Sequence, residues 1–525
     1  MKKSTVFVPI LLLIIPVLLS VTSVQTINNR GKVWYNGDYD PAYAYLYNSL
    51  NISKGLAPGH YDHPGTNMQI LGAIVLKASW ILDHHGSENL TESVLKDPEH
   101  YLRVMNFFVA FFAAGIILIL GIIVLKFSDN IWYALLFQAT PFISGLILYT
   151  GLTRLSQESM LMISSLTLAA FTVSWYFNRE KYSTGKWALI FGIISGFGLV
   201  SKIIFLPLMI IPLLLLKKRK QIFRYLVTSG ITFIVLTIPI IVRYPSMAWW
   251  FVNLFIHSGI YGKGDASIVD FSRYFISLKQ LLTANPVYTA IFILTAIALA
   301  VFLLKKKSSN TTIKRPALII LAAVFLVQLS GFIITAKHPK AAYLLPYELL
   351  SSVTLIIVMD QALALMKNSV FRSFIEGLII VPLIFFGIRH SLSKKETLYF
   401  NDKLHINEQA WNLANTSGNA VITVNPGPSP VAAMFFGNVY AADKYQDDLQ
   451  DLYPDQYIFD TYKNNIVNWK REPLSLRDLL SKYNYHLAVI GYDVDFLKPL
   501  LKIHNISMEK KTFGKTEVAI LTPPK

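Results

Sequence analysis

The sequence predicts an α-helical polytopic membrane protein of about eleven spans over residues 1–389, followed by a small extracytoplasmic α/β domain over residues 390–525. Three observations predict it. The chain is 53% hydrophobic and 15% charged, whereas soluble globular chains are about a quarter charged. Runs of nearly uncharged residues, each long enough to cross a bilayer, recur through the first 390 positions. Beyond them that pattern stops, and short alternating stretches replace it.

The charge balance and the absence of cysteine narrow the function. Lys and Arg number 48 against 31 Asp and Glu, a net charge of +17. The basic residues gather between apolar runs, as they do in cytoplasmic loops. A nucleic-acid binder would instead carry a basic face on a soluble module, so no nucleic-acid partner is expected. With no cysteine in the chain, disulfides, thiolate metal sites and thiol nucleophiles are excluded.

In chain order, Met1 to Thr26 has Lys2 and Lys3 before an apolar core, and reads as a retained first span because many spans follow. Residues 27–100 form the first external loop. Within it, residues 66–83 are apolar but short and carry Lys77, and the parity of the later spans forbids a crossing there. A helix at the external interface is expected instead. Spans are expected at 101–126, 131–149 and 158–177. Residues 187–216 are too long for one span and are flanked by basic residues. They should form a hairpin of two short helices, broken near Gly196, Gly198 and Ser201, with Lys202 at its outer tip.

Further basic clusters occur at Arg179, Lys181 and Lys186; at Lys217 to Arg224; at Lys305 to Arg315; and at Lys367 and Arg372. Placed on the cytoplasmic side of a cell inner membrane, they direct spans at 224–243, 285–305, 316–336, 341–364 and 371–388. The N-terminus is then cytoplasmic and the last domain periplasmic. That domain shows alternation at Ala420 to Val424, a turn at Pro426 to Pro430, and a strand-like stretch at His486 to Tyr492. Its NPGPSP turn lacks the spacing of a nucleotide-binding fingerprint.

Candidate chemistry concentrates on the external side. Asp40 precedes Pro41, and Tyr43, Leu46, Tyr47 and Leu50 follow at helical spacing. This suggests an amphipathic helix with Asp40 as N-cap and Pro41 at the first helical position. Asp40 is then a cap, or a cap whose second oxygen also acts as a general base. Asp38 could share that work. The two carboxylates could also hold a divalent cation, although no cofactor is firmly expected. HYDHPGTN supplies His60, Asp62 and His63, as turn residues or substrate contacts. A zinc reading is set aside, because a proline turn does not enforce ligand geometry.

Arg154 and Glu158 are four apart and either form an ion pair at a helix start, or Arg154 orients a carboxylate or faces a phosphate. Lys202, alone among apolar residues, needs an anionic partner. Lys337, His338 and Lys340 precede Tyr343 in another basic turn. Carboxylates facing cations at one membrane depth suit a lipid-borne phosphate leaving group. The cations would stabilise the charge that develops on it, and a carboxylate would accept the proton of an incoming hydroxyl.

DYDP, DHPGTN, the Arg154-x-x-x-Glu158 turn, GFGLVSK and KHPKAAYLLP together resemble the GT-C membrane glycosyltransferases. The resemblance is greatest to the protein O-mannosyltransferase and aminoarabinose-transferase type, and covers roughly residues 1–390. It implies an inverting transfer of one hexosyl or pentosyl unit from a polyprenyl-phosphate carrier, without a nucleotide sugar, to a protein, lipid or glycan hydroxyl outside the cytoplasm. The family's catalytic acid then maps onto Asp40, its HPP turn onto His63 and Pro64, and its phosphate-facing lysine onto Lys202. Asp40-Pro41 stands where the family often has Asp-Glu, and HPG replaces HPP. The rival from another class is a transporter or flippase of a lipid-linked sugar, which would spread ionisable residues along its spans. A non-catalytic assembly subunit is a third reading.

Overall fold

The computed structural model describes residues 7–36, 39–83, 89–258, 264–306, 314–363, 369–391, 394–504 and 506–522. Contacts divide the chain into two compact units. The first holds Met1–Gln25, Tyr61–Met68 and Phe107–Leu392, and the second holds Thr26–His60, Gln69–Asn106 and Ser393–Lys525.

In lipid every backbone N–H and C=O must be satisfied within the chain, which favours continuous helices. Among the described residues, eight helical stretches are long and apolar enough to cross: Val8–Arg30, Pro98–Ser128, Gln157–Lys181, Thr184–Ser201, Arg219–Ile256, Pro286–Leu304, Arg315–Lys337 and Ala341–Leu363. The other three expected spans take different forms. Ser369–Ser391 is a 23-residue helix with Pro382 inside it. Ile203–Leu215 is a shorter apolar stretch. Residues 131–149 are not one helix: Ile131–Gln138 is followed by a 3-10 turn at Thr140–Ile143 and a π turn at Ile147–Gly151. Pro141 lacks the N–H a continuing helix needs, and its ring opposes the carbonyl one turn back. Thr66–Leu82 is helical over 17 residues, below the roughly 20 a crossing requires.

The hairpin over 187–216 forms, but its glycines do other work. Gly192 and Gly196 lie inside the Thr184–Ser201 helix. A Cβ on Gly196 would come 2.5 Å from the Ser229 carbonyl oxygen, and one on Gly192 2.6 Å from Thr228 Cβ. Both allow the Arg219–Thr237 helix to approach closely, as small residues do between membrane helices. The break falls at Lys202, whose extended backbone (φ −167°, ψ 139°) ends the helix. A 3-10 turn, Ile203–Met209, follows.

Polar contacts mark the two ends of this bundle. At one end Asp360 Oδ2 accepts hydrogen bonds from Tyr176 Oη at 2.6 Å, Lys314 Nζ at 3.0 Å and Gln361 Nε2 at 3.2 Å. Nearby, Trp187 Nε1 donates to the Arg179 carbonyl. At the other end, the start of the 157–178 helix meets the end of the 184–201 helix, and Tyr343, just past the 315–337 helix, joins them. Successive helices therefore alternate in direction.

The second unit is built on a seven-stranded sheet of order β4-β3-β2-β1-β5-β7-β6. Its strands are β1 Ala420–Asn425, β2 Gln456–Asp460, β3 Asn465–Val467, β4 Pro473–Leu474, β5 Leu487–Gly491, β6 Ser507–Phe513 and β7 Thr516–Thr522. β1 runs parallel to β2 and β5, and the remaining pairs are antiparallel. Alternation separates two apolar faces. Ala420, Ile422 and Val424 pack with Leu476, Leu479, Leu497 and Leu501 on one face. Val421, Ala488 and Ile490 pack with Ala410 and Ala414 on the other.

Residues 26–60 are tied into this same unit. The helix Ala42–Ser53 is buried on every side from Ala42 to Asn51, not amphipathic toward solvent as its spacing suggested. Asn48 Nδ2 donates to the Tyr440 carbonyl at 3.0 Å, Asn51 Nδ2 to the Ala441 carbonyl at 3.2 Å, and Tyr445 Oη to Asn51 Oδ1 at 2.7 Å. Its cap also differs from expectation. Pro41, not Asp40, is the N-cap residue, with no side-chain cap bond. Backbone carbonyls meet the first amides instead, Tyr39 O taking Tyr43 N–H and Pro41 O taking Tyr45 N–H.

Candidate functional site

In the first unit a cavity of about 730 Å³ is walled by apolar side chains from three places: Ile203, Ile204 and Leu206; Trp250, Phe251, Leu254 and Phe255; and Ile333 and Ile334. His63, Lys202, Asp270, Arg273, Lys337, His338 and Tyr343 also line it. Lys202 is 4% exposed. Its Nζ donates to Glu158 Oε1 at 2.7 Å and lies 4.7 Å from the centre of the Tyr343 ring. The partner that Lys202 was expected to need is thus Glu158, 44 residues earlier. Arg154 was expected to pair with Glu158 or to face a phosphate. Arg154 lies in the same turn, itself buried, with its carbonyl accepting from Ser159 Oγ.

The HPGTN turn fixes the approach to Lys202. Gly65 N–H donates to the Val200 carbonyl at 2.8 Å, and Asn67 Nδ2 to Ser201 Oγ at 2.7 Å. These clamp the two residues before Lys202. His63 stands edge-on to Trp250, with ring centres 5.2 Å apart, and Asp62 is half-buried.

Lys337 lines the cavity but has another use. Its Nζ donates to the carbonyls of Leu254 and Phe255, both at 2.7 Å. These are among the last carbonyls of the Tyr244–Ile256 helix, where a cation also opposes the helix dipole. His338 beside it is held below the ordinary histidine value, by burial first and then by the Lys337 charge. It therefore enters the cavity wall as a neutral ring at pH 7.

Two residues that the sequence did not single out support this wall. Tyr347 is fully buried and its Oη donates to the Ile204 carbonyl at 3.0 Å. Glu348 is also buried, its Oε1 accepting from Asn285 Nδ2 at 3.1 Å. A lone carboxylate in an apolar run was the signal available for Glu348.

His60 and Asp40 belong to the second unit. His60 packs edge-on between Tyr45 and Tyr440, with 5.3 Å between ring centres on each side. Its backbone N–H donates to Asn48 and its carbonyl accepts from Gln69. That makes His60 part of the unit's packing. Asp40 is exposed. The preceding Tyr39 is buried, with its Oη accepting from Gly427 N–H at 3.3 Å. Burial drives the Tyr39 phenol well above its ordinary value. The Gly427 bond opposes this, and Tyr492, Asp40 and Tyr462 add to it. Asp38 lies outside the described residues, and with it half of the candidate cation pair. Among the described residues, the carboxylate group close enough to hold a cation is Asp493, Asp495 and Glu517. Lys498 and Lys510 already bridge it.

No protein-family model and no curated protein sequence matches the chain. Among solved structures, the crystal structure of ArnT from Cupriavidus metallidurans bound to undecaprenyl phosphate matches with a TM-score of 0.55 and 10% sequence identity. The match covers 97% of this chain and 98% of that one. At this identity the likeness is one of fold, and it extends through the membrane helices and the C-terminal α/β domain alike. The chain therefore shares the fold of that ArnT structure, a protein of the type that its short motifs resemble.

Proposed function

We propose that the chain is an inverting glycosyltransferase that moves a sugar from a polyprenyl-phosphate donor to a hydroxyl acceptor on the extracytoplasmic side of the membrane. The observation that carries this reading is the setting of Lys202. A buried ammonium stands in the wall of a largely apolar cavity of about 730 Å³, which suits a lipid phosphate. The apolar walls suit the prenyl chain, and the cation suits the phosphate. The ArnT structure that shares this fold holds such a lipid.

In this reading the acceptor hydroxyl gives its proton to the Asp40 carboxylate, with Asp38 available to share the charge. The acceptor oxygen bonds to the anomeric carbon from the face opposite the phosphate. The bond from that carbon to the phosphate oxygen breaks, and its electron pair stays on the phosphate. Lys202 lowers the cost of that charge, and Arg154, four residues before Glu158, the partner of Lys202, is a further cation for the same task. His63, Asp62 and Tyr343 order the donor around Lys202. A divalent cation at Asp38 and Asp40 would supply a further positive charge to the acceptor side. Arg179, Lys181, Lys186 and Lys314 gather at the bundle end opposite Lys202. With that end cytoplasmic, Lys202 faces outward.

The test is paired. Lys202→Ala should weaken undecaprenyl phosphate binding by the full-length protein in micelles by at least about tenfold, the loss of one charge-assisted bond. Asp40→Asn should leave that binding intact and abolish sugar transfer in membranes. Unchanged lipid binding in the first variant, or unchanged transfer in the second, removes that residue from the mechanism.

A further inference from the structure

The Asp40 reading leaves open what holds the acceptor, and the sheet of the second unit speaks to that. β1 and β5 are parallel neighbours at its centre. The chain leaving β1 enters the Pro430–Tyr440 helix on the Thr423 side, where Ser429 Oγ donates to Thr423 Oγ1 at 3.4 Å. The chain leaving β5 turns to the opposite face, where Leu497 and Leu501 pack with Ile422 and Val424. Connections that diverge like this leave a crevice beyond the strand C-termini, where open α/β sheets bind their ligands.

Two glycines lie at this end of the sheet. A Cβ on Gly427 would be 3.7 Å from Gly491 Cα, and one on Gly491 would be 2.6 Å from Val424 Cβ. Tyr39 reaches the same place, with Oη against Gly427 N–H and its ring 5.3 Å from Phe436. The next residue, Asp40, is exposed beside it. Tyr462, two residues past β2, is 88% exposed, and Tyr492, directly after β5, is 42% exposed. Because β2 and β5 both run parallel to β1, the two tyrosines leave the sheet at the same end as Gly427.

Resting on the reading of Asp40 as base, we propose that Tyr462 and Tyr492 form a platform that holds a saccharide acceptor with a hydroxyl presented to Asp40. A tyrosine ring offers a flat apolar face to the C–H side of a pyranose, and its phenol bonds to sugar hydroxyls. A peptide acceptor would call for a free strand edge or a row of side-chain pockets. The strands that end here, β2, β1 and β5, are interior to the sheet. The platform thus gives the second unit a role in choosing the acceptor, separate from the donor cavity of the first.

The experiment uses full-length protein in detergent micelles. Chitotriose, maltotriose and mannotriose are titrated with saturation-transfer NMR as readout, and a serine-containing peptide and undecaprenyl phosphate are run alongside. The expected result is that at least one trisaccharide binds, and that Tyr462→Ala and Tyr492→Ala each weaken it about five- to tenfold. Tyr462→Phe should keep most of the affinity, because it keeps the ring face. Undecaprenyl phosphate binding and thermal unfolding should not move in these variants. No saccharide binding, binding indifferent to both tyrosines, or peptide binding that depends on them instead overturns the proposal. Asp40→Asn separates this from the catalytic reading. It should retain trisaccharide binding without transfer, and normal transfer in that variant would defeat the base assignment while leaving the platform result to stand on its own.

Discussion

Lys202 Nζ and Glu158 Oε1 are 2.7 Å apart, with side chains only 5% and 8% exposed. They join the end of one membrane helix to the start of another. A buried pair of this kind adds little net stability over an apolar pair, but removing one partner strands the other charge. Glu158→Gln should therefore destabilise the protein by about 3–5 kcal/mol, read as a fall in thermal unfolding temperature in micelles. The double variant Glu158→Gln, Lys202→Met should recover much of that loss while remaining defective in lipid-phosphate binding. A double variant no more stable than Glu158→Gln alone would show that the pair is not the source of the effect.

Lys337 should act on the helix it caps more than on the donor. Lys337→Gln loses two charge-assisted bonds to Leu254 and Phe255, each worth about 1.5–3 kcal/mol at most when well buried and less here, near the surface. Faster hydrogen exchange over residues 244–256, with undecaprenyl phosphate affinity changed by less than about threefold, is the outcome that fits. A large affinity loss with unchanged exchange would return Lys337 to the list of direct donor contacts.

Gly331 faces the Tyr347 ring so closely that an added Cβ would sit 2.5 Å from Tyr347 Cγ. Gly331→Ala should cost about 1–3 kcal/mol through overpacking. It should also weaken donor binding, because Tyr347 holds the Ile204 carbonyl two residues beyond Lys202. Tyr347→Phe removes only that bond and should cost about 0.5–1.5 kcal/mol. Equal donor affinity in the wild type and both variants would disconnect this contact from the Lys202 turn.

His338 gives the pH dependence a definite sign. Its value in the folded protein is lowered from 6.5 by burial and by Lys337. The unfolded chain therefore binds the proton first as pH falls. Above about pH 6.5 both states are neutral and this histidine contributes nothing. As pH drops below that value, folding stability should decline, until the folded form also takes up its proton. His338→Gln should flatten that part of a stability curve measured between pH 7.5 and 5. A slope that is identical in the variant would assign the effect to other groups.

The sequence carried the membrane class, the hairpin around Lys202 and the strands near 420 and 487, because hydropathy, basic clusters and alternation are local signals. Where it erred, a competing local force won. Hydropathy ran on through residues 131–149, but Pro141 broke the helix there. Gly196 and Gly198 looked like a break, yet Gly196 serves close packing against Ser229. Asp40 looked like an N-cap by composition, but the N-cap position falls one residue later, on Pro41. The site residues were legible as charges out of place in apolar surroundings, as for Lys202. The partners of those charges were not legible. Nothing in the spacing tells that Lys202 meets Glu158, that Lys337 reaches a carbonyl 83 residues earlier, or that Tyr39 ends beneath Gly427.

The hydrogen bond from Asn48 to the Tyr440 carbonyl spans 392 residues, and it bears on the order in which the molecule can mature. A ribosome releases the stretch bearing Asp40 long before its docking surface, which is translated 392 residues later. Early membrane helices can insert while that stretch still waits for its mate. A polypeptide cut short before residue 430 would thus carry every lipid-binding side chain named above and still lack a shaped acidic loop, so competence waits on the segment around Tyr440.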